Sequence, residues 1–199
     1  MQRFTILLLS FAVISYFAFD KEIAVYFHNH PLYPSFFKTI TKLGNSKYSI
    51  IPSLIIFLIS SIAIKKFDFK RVKKLQIASL YILLSVVISG LIADVIKLIF
   101  ARYRPPAYIL HQNYGFNWFE WGYMVNSFPS GHSATAFSLF LALGLIFKRA
   151  LIPFLVLAFL VAFSRVAVGV HYLSDVIVGS LIGALTALYL YEKIYKERV

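Results

Sequence analysis

The side chains of this sequence best suited to chemistry are a histidine and an aspartate that lie four positions apart. They are His171 and Asp175, in the segment HYLSD. On a helix this spacing places both side chains on one face, where the carboxylate can accept a hydrogen bond from one ring nitrogen. The other nitrogen is then unprotonated and available as a nucleophile, as in catalytic triads. A buried structural pair would have the same spacing, so the pair alone leaves both interpretations open.

A second histidine lies in the segment SFPSGHSATAF, residues 127–137, where an apolar run begins. Ser130 is a favourable helix N-cap, and Gly131 permits a close approach of the backbone. A helix that begins here would present free N–H groups and the positive end of its dipole, which suits a phosphate group. An unperturbed histidine titrates near neutral pH, so His132 could donate a proton. Taken alone, the segment is also compatible with a simple capped helix.

Basic residues near the ends of other apolar runs predict that the ligand is an anion. Lys97 and Arg104 have six residues between them in KLIFARYRPP, and Arg165 lies near the end of a later run. Guanidinium groups bind phosphate oxygens through two parallel hydrogen bonds. Lys97 could also pair with Asp94 one turn earlier, and both roles stay open. For Arg102 we favour pairing with a carboxylate or contact with lipid phosphate at the membrane surface.

The composition is that of an integral membrane protein. The chain has 199 residues, of which 60% are hydrophobic and 18% aromatic, and its mean hydropathy is +0.77. A soluble protein of this length could not bury so much apolar surface. The N-terminal apolar segment lacks a clear small-x-small cleavage site, so we expect an uncleaved first span. We predict one all-α domain, residues 1–199, built as a polytopic bundle of six transmembrane helices.

Six apolar runs approach the roughly 20 residues that a helix needs to cross a bilayer. Their approximate ranges are 4–19, 48–64, 75–100, 131–147, 151–169 and 173–191. In the first long connection, residues 20–47, an amphipathic pattern predicts an interfacial helix. The second long connection, residues 101–129, is rich in aromatic residues and proline. We expect it to form an ordered loop or short helix that covers the site at the outer face.

The basic residues predict the orientation of the bundle. The formal net charge is +12, with six Lys/Arg in the 65–74 connection and others at Lys148, Arg149 and both termini. With six spans these positions share one face, which the positive-inside rule makes cytoplasmic. Four lysines lie in the opposite loop and depart from the rule: Lys21, Lys38, Lys42 and Lys47. Because the charges flank apolar runs and form no basic face on a soluble domain, we exclude nucleic-acid binding.

The same topology brings the ionisable residues at the membrane edge to the outer face. They are Lys97, His132, Arg165, His171 and Asp175. Ionisable groups at membrane depth are costly and indicate function. Their shared location, with cations beside two histidines, favours catalysis over a structural His–Asp pair. We therefore predict an active site at the periplasmic face of a bacterial-type cytoplasmic (inner) membrane, with both termini in the cytoplasm.

We expect no metal and no other cofactor. A metal site would need histidines and carboxylates as most of its ligands, whereas cations surround them here. Two histidines and one aspartate are too few for a two-metal phosphatase, and the chain has no cysteine for disulfide or thiolate chemistry. We interpret the other histidines as loop residues and the aromatic residues of the second connection as anchors at the membrane interface. They are His28, His30 and His111, and Tyr108, Trp118, Trp121 and Tyr123.

Three segments, in order and with matching spacing, resemble the signatures of the type 2 phosphatidic acid phosphatase family of membrane lipid phosphatases. KLIFARYRP, residues 97–105, fits lysine, six residues, arginine and proline. PSGH is residues 129–132, and SRVAVGVHYLSD, residues 164–175, fits serine–arginine, five residues, histidine, three residues and aspartate. The six-span layout extends the resemblance over the whole chain. Relatives often have glycine where this chain has Ala101, a departure that we expect to have little effect.

The resemblance implies a role for each matching residue. His171 would attack phosphorus and form a phosphohistidine, Asp175 would orient it, and His132 would protonate the leaving oxygen. The phosphate oxygens would be bound by Lys97, Arg104, Ser130, Gly131 and Arg165. Members of the family work without a metal cofactor.

The residues and the resemblance together predict an integral membrane lipid phosphatase, a hydrolase of phosphoric esters or anhydrides. Undecaprenyl pyrophosphate, phosphatidylglycerol phosphate, phosphatidic acid and a phosphorylated lipid A remain alternative substrates. The expected partners are this lipid and the bilayer, and nothing in the sequence predicts an oligomeric state. A vanadium-dependent haloperoxidase has a similar site, but those relatives are soluble. A non-enzymatic lipid flippase or anion channel would need polar residues along the whole depth of the spans, whereas the ionisable residues here lie at one face.

Overall fold

The protein, seen in a computed structural model, is described over residues 2–66 and 70–198. Helices and short helical turns make up the fold, and no strand forms within the described residues. The helices are α1 Gln2–Ala18, α2 Asp20–Asn29, α3 Pro34–Ile40, α4 Lys47–Lys66, α5 Lys70–Phe100, α6 Pro105–His111, α7 Gly131–Ile146, α8 Leu151–Ala167 and α9 Leu173–Leu190. This all-helical architecture confirms the predicted fold class.

Among the described residues, four helical segments are long and apolar enough to cross a membrane. They are Pro34–Ile64, Lys70–Phe100, Lys148–Ala167 and Leu173–Lys196. α1 passes the same test only together with α2, from which it is bent by 65°, and α7 is a shorter apolar helix of 16 residues. The chain is thus a membrane protein, but the prediction of six spans of full length is not confirmed.

The first long connection differs from its prediction, whereas the second contains a short helix, one of the two predicted forms. Residues 20–47 form α2, α3 and a 3-10 turn, Thr41–Gly44, rather than one interfacial helix. Residues 101–129 contain α6 and a second 3-10 turn, Tyr123–Val125. Arg104 is extended, as a residue before proline usually is, and prolines occupy the first positions of α6. The chain therefore leaves α5 and turns before α6 begins. Part of the predicted basic connection, residues 67–69, lies outside the described residues, and α5 begins at Lys70 rather than at 75.

α7 packs against α5, α8 and α9, and most of its residues are buried. α7 and α9 approach closely, because a Cβ atom at Gly179 would lie 2.3 Å from the carbonyl oxygen of Ser130. A Cβ atom at Gly183 would lie equally close, 2.3 Å, to the carbonyl oxygen of Ala134. Small residues permit such backbone contact between transmembrane helices. The N-termini of α7 and α9 are therefore held side by side.

Candidate active site

His171 and Asp175 meet at the start of α9. His171 lies in the turn that precedes the helix, and the Asp175 carboxylate accepts a hydrogen bond from the backbone N–H of Tyr172 at 2.9 Å. His171 Nδ1 lies 3.6 Å from Asp175 Oδ2. The prediction that the two residues meet is confirmed, but its premise of a shared helical face is wrong. A helix cap, in which Asp175 turns back towards the residues before α9, brings them together.

Ser127 completes the polar surroundings of the imidazole. Its hydroxyl donates to Asp175 Oδ2 at 2.6 Å and lies 3.5 Å from His171 Nδ1. All three side chains are buried. The Nδ1 edge of the ring therefore faces Asp175 and Ser127, so Nε2 is the nitrogen available to a ligand. Ser127 belongs to the segment SFPSGH, but the sequence analysis assigned it no role.

The environment of His171 keeps its imidazole neutral. Burial lowers the pKa of His171 to about 4, and the nearby Asp175 carboxylate opposes this shift. The positive charges of Arg165 and Arg104 lower the same pKa further. Because the pKa lies well below 7, the ring is unprotonated at neutral pH and can act as a nucleophile.

The N-terminus of α7 has the predicted cap. Ser130 precedes the helix in an extended conformation, and its hydroxyl accepts a hydrogen bond from the backbone N–H of Ser133 at 3.4 Å. Ser130 N–H donates to the carbonyl oxygen of Asp175 at 3.0 Å, which ties α7 to α9. A Cβ atom at Gly131 would lie 2.9 Å from Lys97 Nζ, so the missing side chain admits the ammonium group. Lys97 also binds Asp94 at 3.1 Å, and both roles considered for Lys97 are therefore compatible with its position.

Arg104 and Arg165 each have a buried N–H donor without a partner among the described residues. Arg104 lies over the Tyr123 ring at 4.4 Å and donates to the carbonyl oxygen of Asn126 at 3.1 Å. Arg165 Nη1 donates to the Thr41 hydroxyl at 2.6 Å. The Nε atoms of both are buried and have no hydrogen-bond partner among the described residues. Burial also lowers the pKa of Arg104, which lies outside the spans. A bound anion would satisfy these donors.

The structure brings the predicted ionisable residues into one region. His132 is within electrostatic range of Lys97, Arg104, Arg165 and His171. The 3-10 turn Thr41–Gly44 closes this region, because a Cβ atom at Gly44 would lie 3.0 Å from that of His132. Two imidazoles, one ammonium and two guanidinium groups beside a helix N-terminus have the chemistry that binding of a phosphate-like anion requires.

A second network of buried hydrogen bonds and ion pairs is centred on Arg102 and includes Asp175. Arg102 is fully buried, and its guanidinium binds Asp175 through Nη1 and Asp20 through Nη2, the latter at 2.7 Å. The same group donates to the Ser174 hydroxyl at 2.6 Å and to the Tyr114 hydroxyl at 3.0 Å. Of the two roles favoured for Arg102, pairing with a carboxylate is the one observed. Asp20, at the bend between α1 and α2, was missed, although a carboxylate directly after an apolar run was a usable signal.

A family model, described as the PAP2 superfamily, matches residues 78–198. The chain belongs to the PAP2 superfamily. This match confirms the family indicated by the three sequence segments.

Individual PAP2 relatives and solved structures agree with this assignment. The chain is 33% identical over 153 residues to the lipid A 1-phosphatase of Rhizobium johnstonii, a match that covers 75% of this chain and 63% of that relative. A crystal structure of Aquifex aeolicus LpxE superposes with a TM-score of 0.59 and 27% identity, covering 88% of this chain and 96% of that one. The crystal structure of the first transmembrane PAP2 type phosphatidylglycerolphosphate phosphatase from Bacillus subtilis gives a TM-score of 0.61 and 26% identity over 98% of both chains.

One departure from the PAP2 pattern has a structural consequence. Ala101 is buried and has φ +41°, a left-handed conformation that glycine adopts without strain. The glycine that relatives often carry suits this backbone. Alanine is less favourable than glycine in this conformation, directly before Arg102, and the expectation that the departure has little effect stays a prediction.

Of the other residues considered in the sequence, Tyr123 contacts the site residue Arg104. Within the described residues, no group of three or more His, Cys, Asp or Glu side chains could hold a metal ion. His28 and His111 lie in helices rather than loops, and His30 follows α2 and stacks on Tyr26 at 4.9 Å. Three aromatic side chains predicted as interfacial anchors are largely exposed: Trp118, Trp121 and Tyr123.

Proposed function

We propose that this protein is a membrane lipid phosphatase that hydrolyses a phosphate monoester or pyrophosphate through a phosphohistidine. One observation carries the proposal: the Nδ1 edge of the buried, neutral His171 faces Asp175 and Ser127, and Arg165 and Arg104 are within electrostatic range of the ring. This combination suits attack on phosphorus, since the imidazole is the nucleophile and the cations attract the phosphate. The names of two relatives, a lipid A 1-phosphatase and a phosphatidylglycerolphosphate phosphatase, support a lipid phosphate as substrate.

In the first step, His171 Nε2 bonds to phosphorus as the bond from phosphorus to the leaving oxygen breaks. The negative charge of the bound phosphate favours the protonated form of His132, which gives a proton to that oxygen. In the second step, a water oxygen attacks phosphorus, His132 takes the water's proton and the phosphorus–nitrogen bond breaks. Inorganic phosphate is released and His171 is again neutral.

The phosphate oxygens are bound by groups that the fold supplies around the transferred phosphoryl group. They are Lys97, Arg104, Arg165, the Ser130 hydroxyl and the backbone N–H of Gly131 at the N-terminus of α7. The three cations and the two neutral hydrogen-bond donors stabilise the equatorial oxygens in the transition state. Phosphate binding and phosphoryl transfer thus use this chain's own side chains in a single domain, residues 1–199. The site faces the outside of the cytoplasmic membrane and both termini lie inside, in line with the positive-inside rule.

Phosphate release from lipids tests this proposal. The purified protein in detergent, with a chelator present, should release phosphate from at least one of lipid A, phosphatidylglycerol phosphate, phosphatidic acid and undecaprenyl pyrophosphate. His171→Ala should reduce kcat by at least about 1,000-fold, because the nucleophile is lost. His111→Ala, at the end of α6, is the matched control and should retain activity. Substantial turnover by folded His171→Ala protein would overturn the nucleophile assignment, and no release from any of the lipids would favour a transporter.

A further inference from the structure

The 3-10 turn Thr41–Gly44 lies between α3 and α4 and packs against α7 and α8. These two helices carry His132 and Arg165. The turn lies outside residues 78–198, the part of the chain that the PAP2 family model matches. Any role of the turn in the candidate active site is therefore additional to the three sequence segments that indicated the family.

Both sides of the turn are anchored in the fold. Before it, the buried Phe37 packs edge-on against Phe163 of α8, with 5.5 Å between the ring centroids. Ile40 packs against the buried apolar cluster that α7, α8 and α9 share. After it, the backbone N–H of Asn45 donates to the carbonyl oxygen of Lys42 at 3.0 Å. These contacts give the turn a defined position from which it can orient side chains of the site.

Thr41 holds the guanidinium of Arg165 without neutralising it. The Thr41 hydroxyl accepts a hydrogen bond from Arg165 Nη1 at 2.6 Å, and no carboxylate among the described residues forms an ion pair with this arginine. Arg165 Nε is buried and lacks a partner in the same part of the chain. The hydroxyl thus fixes one end of the guanidinium and leaves the Nε edge for an anion. A donor that is oriented before its ligand arrives lowers the entropic cost of binding.

Gly44 packs against the imidazole of His132. A Cβ atom at Gly44 would lie 3.0 Å from His132 Cβ and 3.1 Å from His132 Cδ2, the ring carbon that is bonded to Nε2. It would also lie 2.8 Å from Val161 Cγ1. A larger residue at this position must therefore displace the imidazole, the valine or the turn itself. Glycine allows the backbone of the turn to lie against the ring, which restricts the orientations that the ring can adopt.

We propose that the Thr41–Gly44 turn is a positioning element of the active site, an inference that rests on the proposed phosphatase function. Thr41 orients Arg165 towards the phosphate oxygens, and Gly44 sets the ring orientation of His132 for the leaving oxygen. Both residues act through another side chain and not on the reacting atoms. Because they act through different side chains, loss of each contact should affect a different property, phosphate affinity for Thr41 and proton transfer for Gly44.

Thr41→Val tests the contact with Arg165, because it removes the hydroxyl and keeps the shape of the side chain. In isothermal titration calorimetry of the purified protein in detergent, the Kd of inorganic phosphate should rise at least about 5-fold. Thr41→Ser keeps the hydroxyl and should bring the Kd back to within about 2-fold of wild type. Thr39→Val is the matched control, since the exposed Thr39 hydroxyl donates to the Ser35 carbonyl oxygen of its own helix. An unchanged Kd in Thr41→Val, or no rescue by Thr41→Ser, would overturn the role of Thr41.

Gly44→Ala tests the contact with His132, because the added Cβ atom would displace the imidazole and impair proton donation to the leaving oxygen. For a lipid phosphate monoester, whose leaving alkoxide needs a proton, kcat/KM should fall at least about 10-fold. For para-nitrophenyl phosphate, whose leaving group departs without a proton, kcat/KM should fall at most about 2-fold. Equal changes in kcat/KM for the two substrates would overturn the role of Gly44.

The outcomes separate the role of the turn from the proposed function. Wild-type hydrolysis of a lipid phosphate together with an unchanged Kd in Thr41→Val would remove the role of Thr41 while the phosphatase function stands. A wild-type protein that binds inorganic phosphate but hydrolyses no lipid phosphate would overturn the proposed function, and the same comparison of Kd values would still decide on Thr41. Thermal unfolding in detergent verifies that each variant is folded.

Discussion

Arg102 lies between two carboxylates, and their combined charge bears on how Asp175 acts on His171. Burial alone would lower the pKa of Arg102, but Asp175 and Asp20 raise it above its ordinary value, so the guanidinium stays charged. Asp175 paired only with Arg102 would form a neutral unit. With Asp20 the three groups carry one net negative charge next to His171. That charge favours the positive imidazole nitrogen that develops when the ring bonds to phosphorus.

Asp20→Asn should therefore destabilise the protein and slow it. The substitution weakens the charge-assisted hydrogen bonds that Asp20 accepts from Arg102 and Ser174, and a hydrogen bond to a charged group contributes about 1.5–3 kcal/mol of unfolding free energy. We expect a clear drop in the thermal unfolding midpoint in detergent, together with a lower kcat and a little-changed KM. Glu22→Gln, an exposed charge on the same helix, is the control. Equal unfolding midpoints for the two variants would show that the network contributes no stability.

The sequence was sufficient to select the ionisable residues that the structure brings together beside His171, because each lies in a local motif with a recognisable chemical type. The supporting residues were not found for a physical reason. Asp20, Thr41 and Ser127 contact the site only through the tertiary fold, from segments far apart in the chain. Nothing in their local pattern distinguishes a serine that orients a carboxylate from a serine that caps a turn.

The elements that position the site depend on glycine at the α7–α9 contact. The backbone N–H of Ser130 donates a hydrogen bond to the carbonyl oxygen of Asp175, and Gly179 packs against the Ser130 carbonyl. A small displacement between these helices would therefore separate the α7 N-terminus from the His171 turn. Glycine at position 179 fixes the relative placement of the candidate proton donor and the candidate nucleophile.

Gly179→Ala should consequently disrupt this contact. Its Cβ atom would lie 2.3 Å from the Ser130 carbonyl oxygen, so the backbone of one helix must shift. Such overpacking costs about 1–3 kcal/mol, and we expect a lower thermal unfolding midpoint and a lower kcat. Gly90→Ala is the matched comparison for stability, since its Cβ atom meets nothing and alanine favours the helix. If Gly179→Ala is as stable as Gly90→Ala, close packing does not hold these two helices.

The starts of the later membrane helices coincide with the starts of the apolar runs, because contact with lipid requires apolar residues along the whole helix. α7, α8 and α9 begin at residues 131, 151 and 173, as predicted. Residues 20–47 did not follow a simple pattern, because tertiary contacts shape them. Asp20 is fixed by Arg102, and Thr41 by Arg165. An amphipathic pattern indicates a surface-lying helix, but it carries no information on partners across the bundle.

Across the whole molecule, the shortness of α7 raises the question of whether it crosses the bilayer. Its 16 residues span about 24 Å, less than the hydrocarbon thickness of about 30 Å. Its polar N-terminus holds the candidate site, and exposed Lys148 and Arg149 follow its other end. If the phosphate site lies at headgroup depth on one side, these two basic residues mark the opposite interface. α7 would then cross with its first turn already inside the polar region.

Cysteine labelling tests this arrangement directly, because the chain has no cysteine of its own. Glu120 and Lys148 are both exposed and lie on either side of α7 in the sequence. In right-side-out spheroplasts, a membrane-impermeant maleimide should label Glu120→Cys, whereas Lys148→Cys should react only after permeabilisation. Labelling of both from outside would mean that α7 does not cross, which reduces the number of spans. The reverse labelling would place the candidate site on the cytoplasmic side. The positive-inside rule would then fail for this chain, and the site could not reach a lipid in the outer leaflet.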